Sequence, residues 1–527
     1  MKKIFFVLWM LPCFCFGQTE IFQKVYSLDS DTMDITASMI PTSDGGYILI
    51  GNTDYYPKQS PFVLKLNSSG DVMWSKRISF TNGGMISDIQ NTFDGNFIIS
   101  GFRYIDDTSS ISVLIKMSNS GSIVFEKEYS LPVNYSLSNF LIKVKQLPDS
   151  GFVVTEPVYR NFIWSSHVAV FKTNSIGELQ WDILIDSTSK LETLDIEIPE
   201  SEYGITICEG CEDGFTFLTR LNNNGGIIWS KRHGINGLGW KVLKGSSLNK
   251  TSDNKYVLAG YYLEADSLIY QQKILVMKTD SLGNEEWTKK YSGVDSLLWA
   301  SEIIQTFDGG YIVAATTTQD YTINHPLLLK LDSTGTVEWS KKFNAIKNFH
   351  SITSLIQTED SGFAFSGWVQ DNLGHTKIFI VKTDKNGIAD CKQINLSISL
   401  APLNTFHTDS LTEIPITFLM TSYLAEIENC SSNVQNACWS DLIPEIDSLI
   451  NSIIISPNPA TTEIKITNLS PTENQISIFN LLGQQVKSIR VSNVQSTIIP
   501  VSDLPAGMYV VTIFDGEKIV CKKFVKE

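Results

Sequence analysis

The sequence predicts an all-β protein, a seven-bladed β-propeller followed by a smaller β unit at the C-terminus. Three observations carry that reading. An Asp-Gly-Gly-Tyr turn recurs as DGGY at Asp44, DGNF at Asp94, DSGF at Asp149, ESEY at Glu200, DNKY at Asp253, DGGY at Asp308 and DSGF at Asp360. The steps of 50 to 55 residues are the period of a propeller or solenoid. A second segment, typified by LLLKLDSTGTVEWSKKF from Leu327 to Phe343, recurs at the same period, and helical periodicity of any length is absent from Gln18 to Asp390.

Residues 1–17 read as a secretory signal peptide. Lys2 and Lys3 form a basic start, Ile4 to Phe16 an apolar run too short to span a bilayer, and Gly17 the residue before the cut. Cys13 and Cys15 lack the small preceding residues of a lipoprotein signal. No later apolar stretch is long enough for a transmembrane helix. The chain has 527 residues and a formal charge of −15, which argues against nucleic acid and anionic membrane surfaces as partners.

Residues 18–391 carry the repeat. Each copy holds a short apolar stretch, the Asp turn, a Tyr- or Phe-led strand such as YIVAATT at Tyr311, an LLLKLD-type strand, a Gly turn and a Trp-led strand. That makes four strands per blade. Trp74, Trp181, Trp229, Trp287 and Trp339 occupy one repeat position, with Phe125 standing in once. A large ring at a regular position is expected to wedge between neighbouring blades. The seventh copy, IFIVKTDKNGIADC, stops without its last strand. Ile21 to Ser27 has the missing pattern, so the N-terminus is expected to complete blade seven and remove an open edge.

The segment from Asp332 to Trp339 resembles the tryptophan-docking repeat of quinoprotein-like propellers. The resemblance covers the blade motif only. The residues that hold a quinone and its calcium in those enzymes have no counterpart here, so it implies the fold and no cofactor.

From 392 to 451 the repeat vanishes, and this Ser-, Thr-, Leu- and Ile-rich segment reads as a linker with some strand content, carrying Cys430 and Cys438 after Cys391. Residues 452–527 have their own turn glycines and alternating strands. Pro457-Asn458-Pro459, Gly483 after Asn480-Leu481-Leu482, Leu504, Gly507-Met508-Tyr509-Val510 and Lys522-Lys523 resemble, in order and spacing, the type A C-terminal sorting domain of type IX secretion cargo. The resemblance implies an Ig-like β-sandwich read by the secretion machinery and removed by its sortase. It also implies passage through the periplasm to the medium or the outer cell surface. Cys521 is an addition to the motif.

Motifs for chemistry are scarce. His167, His233, His325, His350, His375 and His407 form no HExxH or close pair, and no G-x-S-x-G or phosphate loop occurs. Most turn aspartates have an Asx-turn role. Cys208-Glu209-Gly210-Cys211 is the one CxxC. It lacks a second pair for zinc and a thioredoxin-like setting, which leaves a local disulfide across a hairpin. Asp-Ser-Leu at Asp266, Asp280, Asp295, Asp409 and Asp447 is either a simple turn or an acceptor resembling the O-glycosylation sites of bacteria with this secretion system. Trp164, Trp240, Trp299 and Trp368 lie off the repeat position and are candidates for an exposed binding face. The functional expectation is a binding or structural module with a glycan or a surface protein as partner. The alternative is a polysaccharide hydrolase or lyase using acids in the ring's channel.

Overall fold

The computed structural model describes residues 21–436 and 454–526. Excepted are the segments 29–33, 54–58, 132–134, 138–141, 161–165, 187–190, 199–203, 212–214, 236–241, 294–296, 319–323, 344–348, 371–373, 390–392, 470–473, 481–484 and 515–518 and a few shorter loops. The expected signal peptide and the boundary near 451 lie outside the described residues. The chain divides into two compact units, 1–438 and 439–527.

The first unit is a closed ring of seven antiparallel blades. The first strands of successive blades touch all the way round, blade seven returning to blade one. In blade six the strands run Leu297–Gln305, Tyr311–Thr318, Asn324–Leu331 and Val337–Phe343 from the axis outward. The second strand, YIVAATTT, is buried at every position because other blades cover both of its faces, whereas the outer VEWSKKF alternates. The core therefore lies between blades. Val257, Val276 and Tyr291 of blade five pack with Ile303, Val313 and Leu329 of blade six.

The repeat residues brace each blade internally and then join it to the next. Lys65 is almost fully buried and reaches back to the Asp44 carboxylate at 2.9 Å and the Thr42 hydroxyl at 2.6 Å. Equivalent pairs Lys116–Asp94, Lys172–Asp149, Lys278–Asp253, Lys330–Asp308 and Lys382–Asp360 span 2.5 to 3.3 Å. Blade four has Arg220 instead, donating to Thr206 and to Tyr256 of blade five. The tryptophans wedge as expected. A Cβ on Gly335 of blade six would lie 2.8 Å from the Trp287 ring of blade five, so only glycine allows the contact. Tyr129 and Tyr291 donate to the carbonyls of Gly177 and Gly335 in the next blade, at 2.6 and 2.7 Å.

The N-terminus closes the ring. Phe22–Ser27 pairs antiparallel with the third strand of blade seven, Lys24 opposite Ile380. Phe22 takes the tryptophan position against Gly70, and Tyr26 donates to the Gly70 carbonyl at 2.7 Å. The seam has the same chemistry as the other junctions.

The expected linker at 392–451 is corrected by the structure. Seven strands of three to five residues lie between Gln393 and Asn436, and each adds an outermost strand to one blade. Gln393–Asn395 pairs with blade six, Ile398–Pro402 with five, Thr405–Thr408 with four and Thr412–Pro415 with three. Leu419–Ser422 follows on two, Glu426–Asn429 on one, and Asn433–Asn436 on the N-terminal strand of blade seven. The segment is a belt that runs round the ring against the order of the blades. It reads as a linker because such short strands carry no hairpin turns of their own. Their hydrogen-bond partners are blade edges from 50 residues away (Phe343 opposite Gln393) to 412 (Lys24 opposite Asn436).

The second unit is a sandwich of a three-stranded and a four-stranded antiparallel sheet. Ile464, Ile466, Ile476, Ile478, Val511 and Phe524 fill its core, with Tyr509 stacked on Phe524 at 5.5 Å.

Candidate functional site

Each first strand faces the ring axis, and in every blade but the third a bulge sets which residue points there. The register shifts just before Ser38, Asp88, Asp195, Ser247, Glu302 and Ser354. A bulge adds a residue and so resets the alternation of faces. These residues line a channel of about 350 Å³ together with Lys143, Lys145 and Glu197. Four carboxylates thus face two lysines.

The channel carboxylates also staple blades. Asp88 accepts the Val144 amide of blade three at 3.1 Å, Asp195 the Leu248 amide of blade five at 3.1 Å, and Glu302 the Leu355 amide of blade seven. Glu197 accepts from the Lys250 backbone and pairs with Lys145 at 3.7 Å. Enclosure in the channel pushes Glu302 up to about 8, against the opposing pull of Lys143. It raises Asp88 and Glu197 as well. Burial also works against the Lys143 charge, but Asp88, Asp195 and Glu302 outweigh it and hold the ammonium above its usual value. The arrangement sets a carboxyl raised to about 8 beside three other acids and two lysines, a set of groups on which acid–base chemistry can draw.

Above the channel, on the face carrying the Asp turns, lies a vestibule of about 1020 Å³. Pro41 and Asn91 line both spaces, and the Asn91 amide donates to the Pro41 carbonyl at 2.9 Å. The vestibule is bordered by turns of blades six, seven, one and two. Phe93 and Phe307, at equivalent places in the turns of blades two and six, are 70% and 69% exposed. Their amides donate to Gln146 at 2.7 Å and Gln357 at 2.8 Å on the next blade, and those glutamines hold the following turn through Ser150 and Ser361. Two aromatic rings are therefore held out to solvent on rigid turns.

Sequence reasoning missed both features. Two of the four acids stand six residues ahead of the turn aspartate, Asp88 before Asp94 and Glu302 before Asp308, whereas Asp195 and Glu197 do not keep that offset from Glu200. That shared offset is the signal that would have found Asp88 and Glu302. Of the off-repeat tryptophans, Trp299 and Trp368 are half-buried, while Trp164 and Trp240 lie outside the described residues. Asp280 shows the Asx-turn role, accepting the Leu282 and Asn284 amides. Among the described residues, no group of three or more His, Cys, Asp or Glu is arranged to hold a metal ion.

Cys208 and Cys211 do not flank a hairpin tip. Both lie in the strand Gly204–Cys211, opposite Leu218 and Leu191. Three residues of extended chain span roughly 10 Å, beyond the usual Cα separation of a disulfide. Of the sorting motif, Pro457 and Pro459 are exposed, Leu504 and Tyr509 are in the sandwich core, and Gly507 opens the strand Gly507–Phe514. The Tyr509 hydroxyl donates to the Pro505 carbonyl at 2.8 Å. Asn458 and Gly483 lie outside the described residues.

Residues 455–527 match the family described as the secretion system C-terminal sorting domain. The chain is type IX cargo, directed to the cell surface or beyond. No described helix is long and apolar enough to cross a membrane. No curated protein matches the chain in sequence. Among solved structures, Sqt1 from Chaetomium thermophilum aligns at 9% identity over 73% of this chain and 90% of its own, with a TM-score of 0.39. The GH93 α-L-arabinofuranosidase of Fusarium graminearum aligns at 12% over 69% and 98%, TM-score 0.40. The Penicillium chrysogenum α-L-arabinanase aligns at 10% over 70% and 99%, TM-score 0.40.

Proposed function

We propose that this exported cargo is a binding module of the cell exterior, holding a glycan or a surface protein in the vestibule formed by the turns of blades six, seven, one and two. The observation that carries the reading is the pair Phe93 and Phe307, exposed on braced turns around a concave space of ligand size. A soluble chain gains no packing from rings held in water, so their rigid presentation suits a partner. The sorting domain belongs to a compact unit of its own, which fits delivery of a finished module. The test is a glycan and protein array screen with the mature chain, followed by the double variant F93A/F307A. Capture of a partner that the double variant loses supports the reading. Capture unchanged in the double variant sinks it.

A second reading, a polysaccharide hydrolase or lyase, has its own observation in Glu302, held protonated near neutrality beside Lys143 and the other acids. Against it, Asp88, Asp195, Glu197 and Glu302 each accept a backbone amide of the next blade, the bonding of a structural ring. New reducing ends or unsaturated uronates from a polysaccharide panel, abolished by Glu302→Gln, would favour the enzyme.

A further inference from the structure

We propose that the vestibule's ligand is a neutral polysaccharide chain, stacked on Phe93 and Phe307. This rests on the binding reading above and narrows it to one chemistry. The first argument is charge. The vestibule wall includes Asp360 and Lys382, but these neutralise one another at 2.8 Å. The turn acids behind the wall are matched in the same way, Asp44 by Lys65, Asp94 by Lys116 and Asp308 by Lys330. Among the described lining residues, Glu359 alone lacks an ion-pair partner. An anionic ligand meets no unmatched cation here, and the strong charge-assisted bonds that hold carboxylate, sulfate or phosphate groups come from such cations.

The second argument is the kind of surface left. The remaining polar lining is amide and hydroxyl, from Asn91, Asn119, Ser43 and Ser68. Two isolated aromatic faces in such a surround match a sugar, whose ring presents C–H groups on its faces and hydroxyls on its edges. Aromatic faces take the first and amides the second. The third argument is span. The two phenylalanines belong to blades two and six, with the turns of blades one and seven between them. Rings so placed serve separate subsites of an extended chain better than one monosaccharide.

The experiment is titration calorimetry of the full mature chain with laminarin, mannan and dextran as neutral probes and polygalacturonate and heparin as anionic ones. Expected is binding to at least one neutral polymer that is insensitive to salt and about ten-fold weaker in each of Phe93→Ala and Phe307→Ala. Both rings are exposed, so melting curves of the variants should match the parent. Binding confined to the anionic polymers and lost with salt overturns the inference, as does neutral binding unchanged in the double variant. If no saccharide binds but a protein partner from the array is lost in the double variant, the inference falls and the binding reading stands. If the double variant loses no partner of either kind, both fall.

Discussion

Lys330 sits in a strand of leucines, 3% exposed, with its ammonium on Asp308, Glu338 and the Leu331 carbonyl. Lys330→Ala removes a charged donor from a buried site and should cost about 2 kcal/mol, measured by denaturant titration; a variant as stable as the parent would refute the role. Acid attacks the same intra-blade pairs. Hydrogen bonds from Thr42, Lys65 and Gly46 outweigh burial and hold Asp44 down at about 2, and Asp253, Asp308 and Asp360 are lowered by similar contacts. A depressed carboxylate contributes stability above its unfolded value, and that stability is lost as pH falls through the folded value. Two buried acids act in the opposite sense. Burial raises Glu302, and Glu156 beside the Ser112 hydroxyl, to about 8. The native state holds their protons more tightly, so stability should decline as pH rises from the ordinary glutamate range toward 8. The variant E156Q/E302Q should flatten that decline in a melting series, and an unaltered slope would count against both assignments. At this scale the turn aspartates and wedge tryptophans were legible because they repeat. The Lys–Asp pairing was not, since its partners lie in different elements. The channel acids were hidden by the bulge, which breaks the alternation that tells one face of a strand from the other.

At the scale of elements, the four strands of each blade and the closing strand Phe22–Ser27 were readable from pattern and turn residues. The belt was not, although from Ile398 onward its strands begin seven residues apart. A strand of three to five residues has too little alternation to announce itself, and it is stable only against an existing edge. The belt therefore belongs to the ring. A chain ended after Cys391 should expose the outer edge of every blade, lower the melting temperature and scatter light on standing. A chain ended after Cys438 should melt as the ring does in the whole protein. Equal melting curves for the two truncations would show that the belt contributes nothing.

For the whole molecule, the boundary that matters lies after Cys438 rather than after Cys391. Residues 439–527 fused to an inert exported reporter should carry it to the surface or medium of a strain with type IX secretion. The chain truncated after Asn451 should stay in the periplasm with its ring folded. Surface delivery of the truncated chain, read by protease accessibility, would refute the sorting role. The sandwich was legible because its motifs are short, ordered and close together. The ring's ligand was not, because Phe93 and Phe307 become partners only once the blades bring their turns to one rim. The belt has one more consequence, a mechanical one. Tension on the C-terminal unit enters the ring at Asn433–Asn436, the strand that covers the seam at Lys24 to Ser27. The next strands to bear load are those on blades one, two, three, four, five and six, in that order. Pulled in an optical trap, the chain should lengthen first in small steps, each releasing about seven residues or roughly 24 Å, before any blade opens. The belt would then act as a shock absorber, yielding at low force and rewinding when the tension falls. A single abrupt extension would show instead that belt and blades fail together.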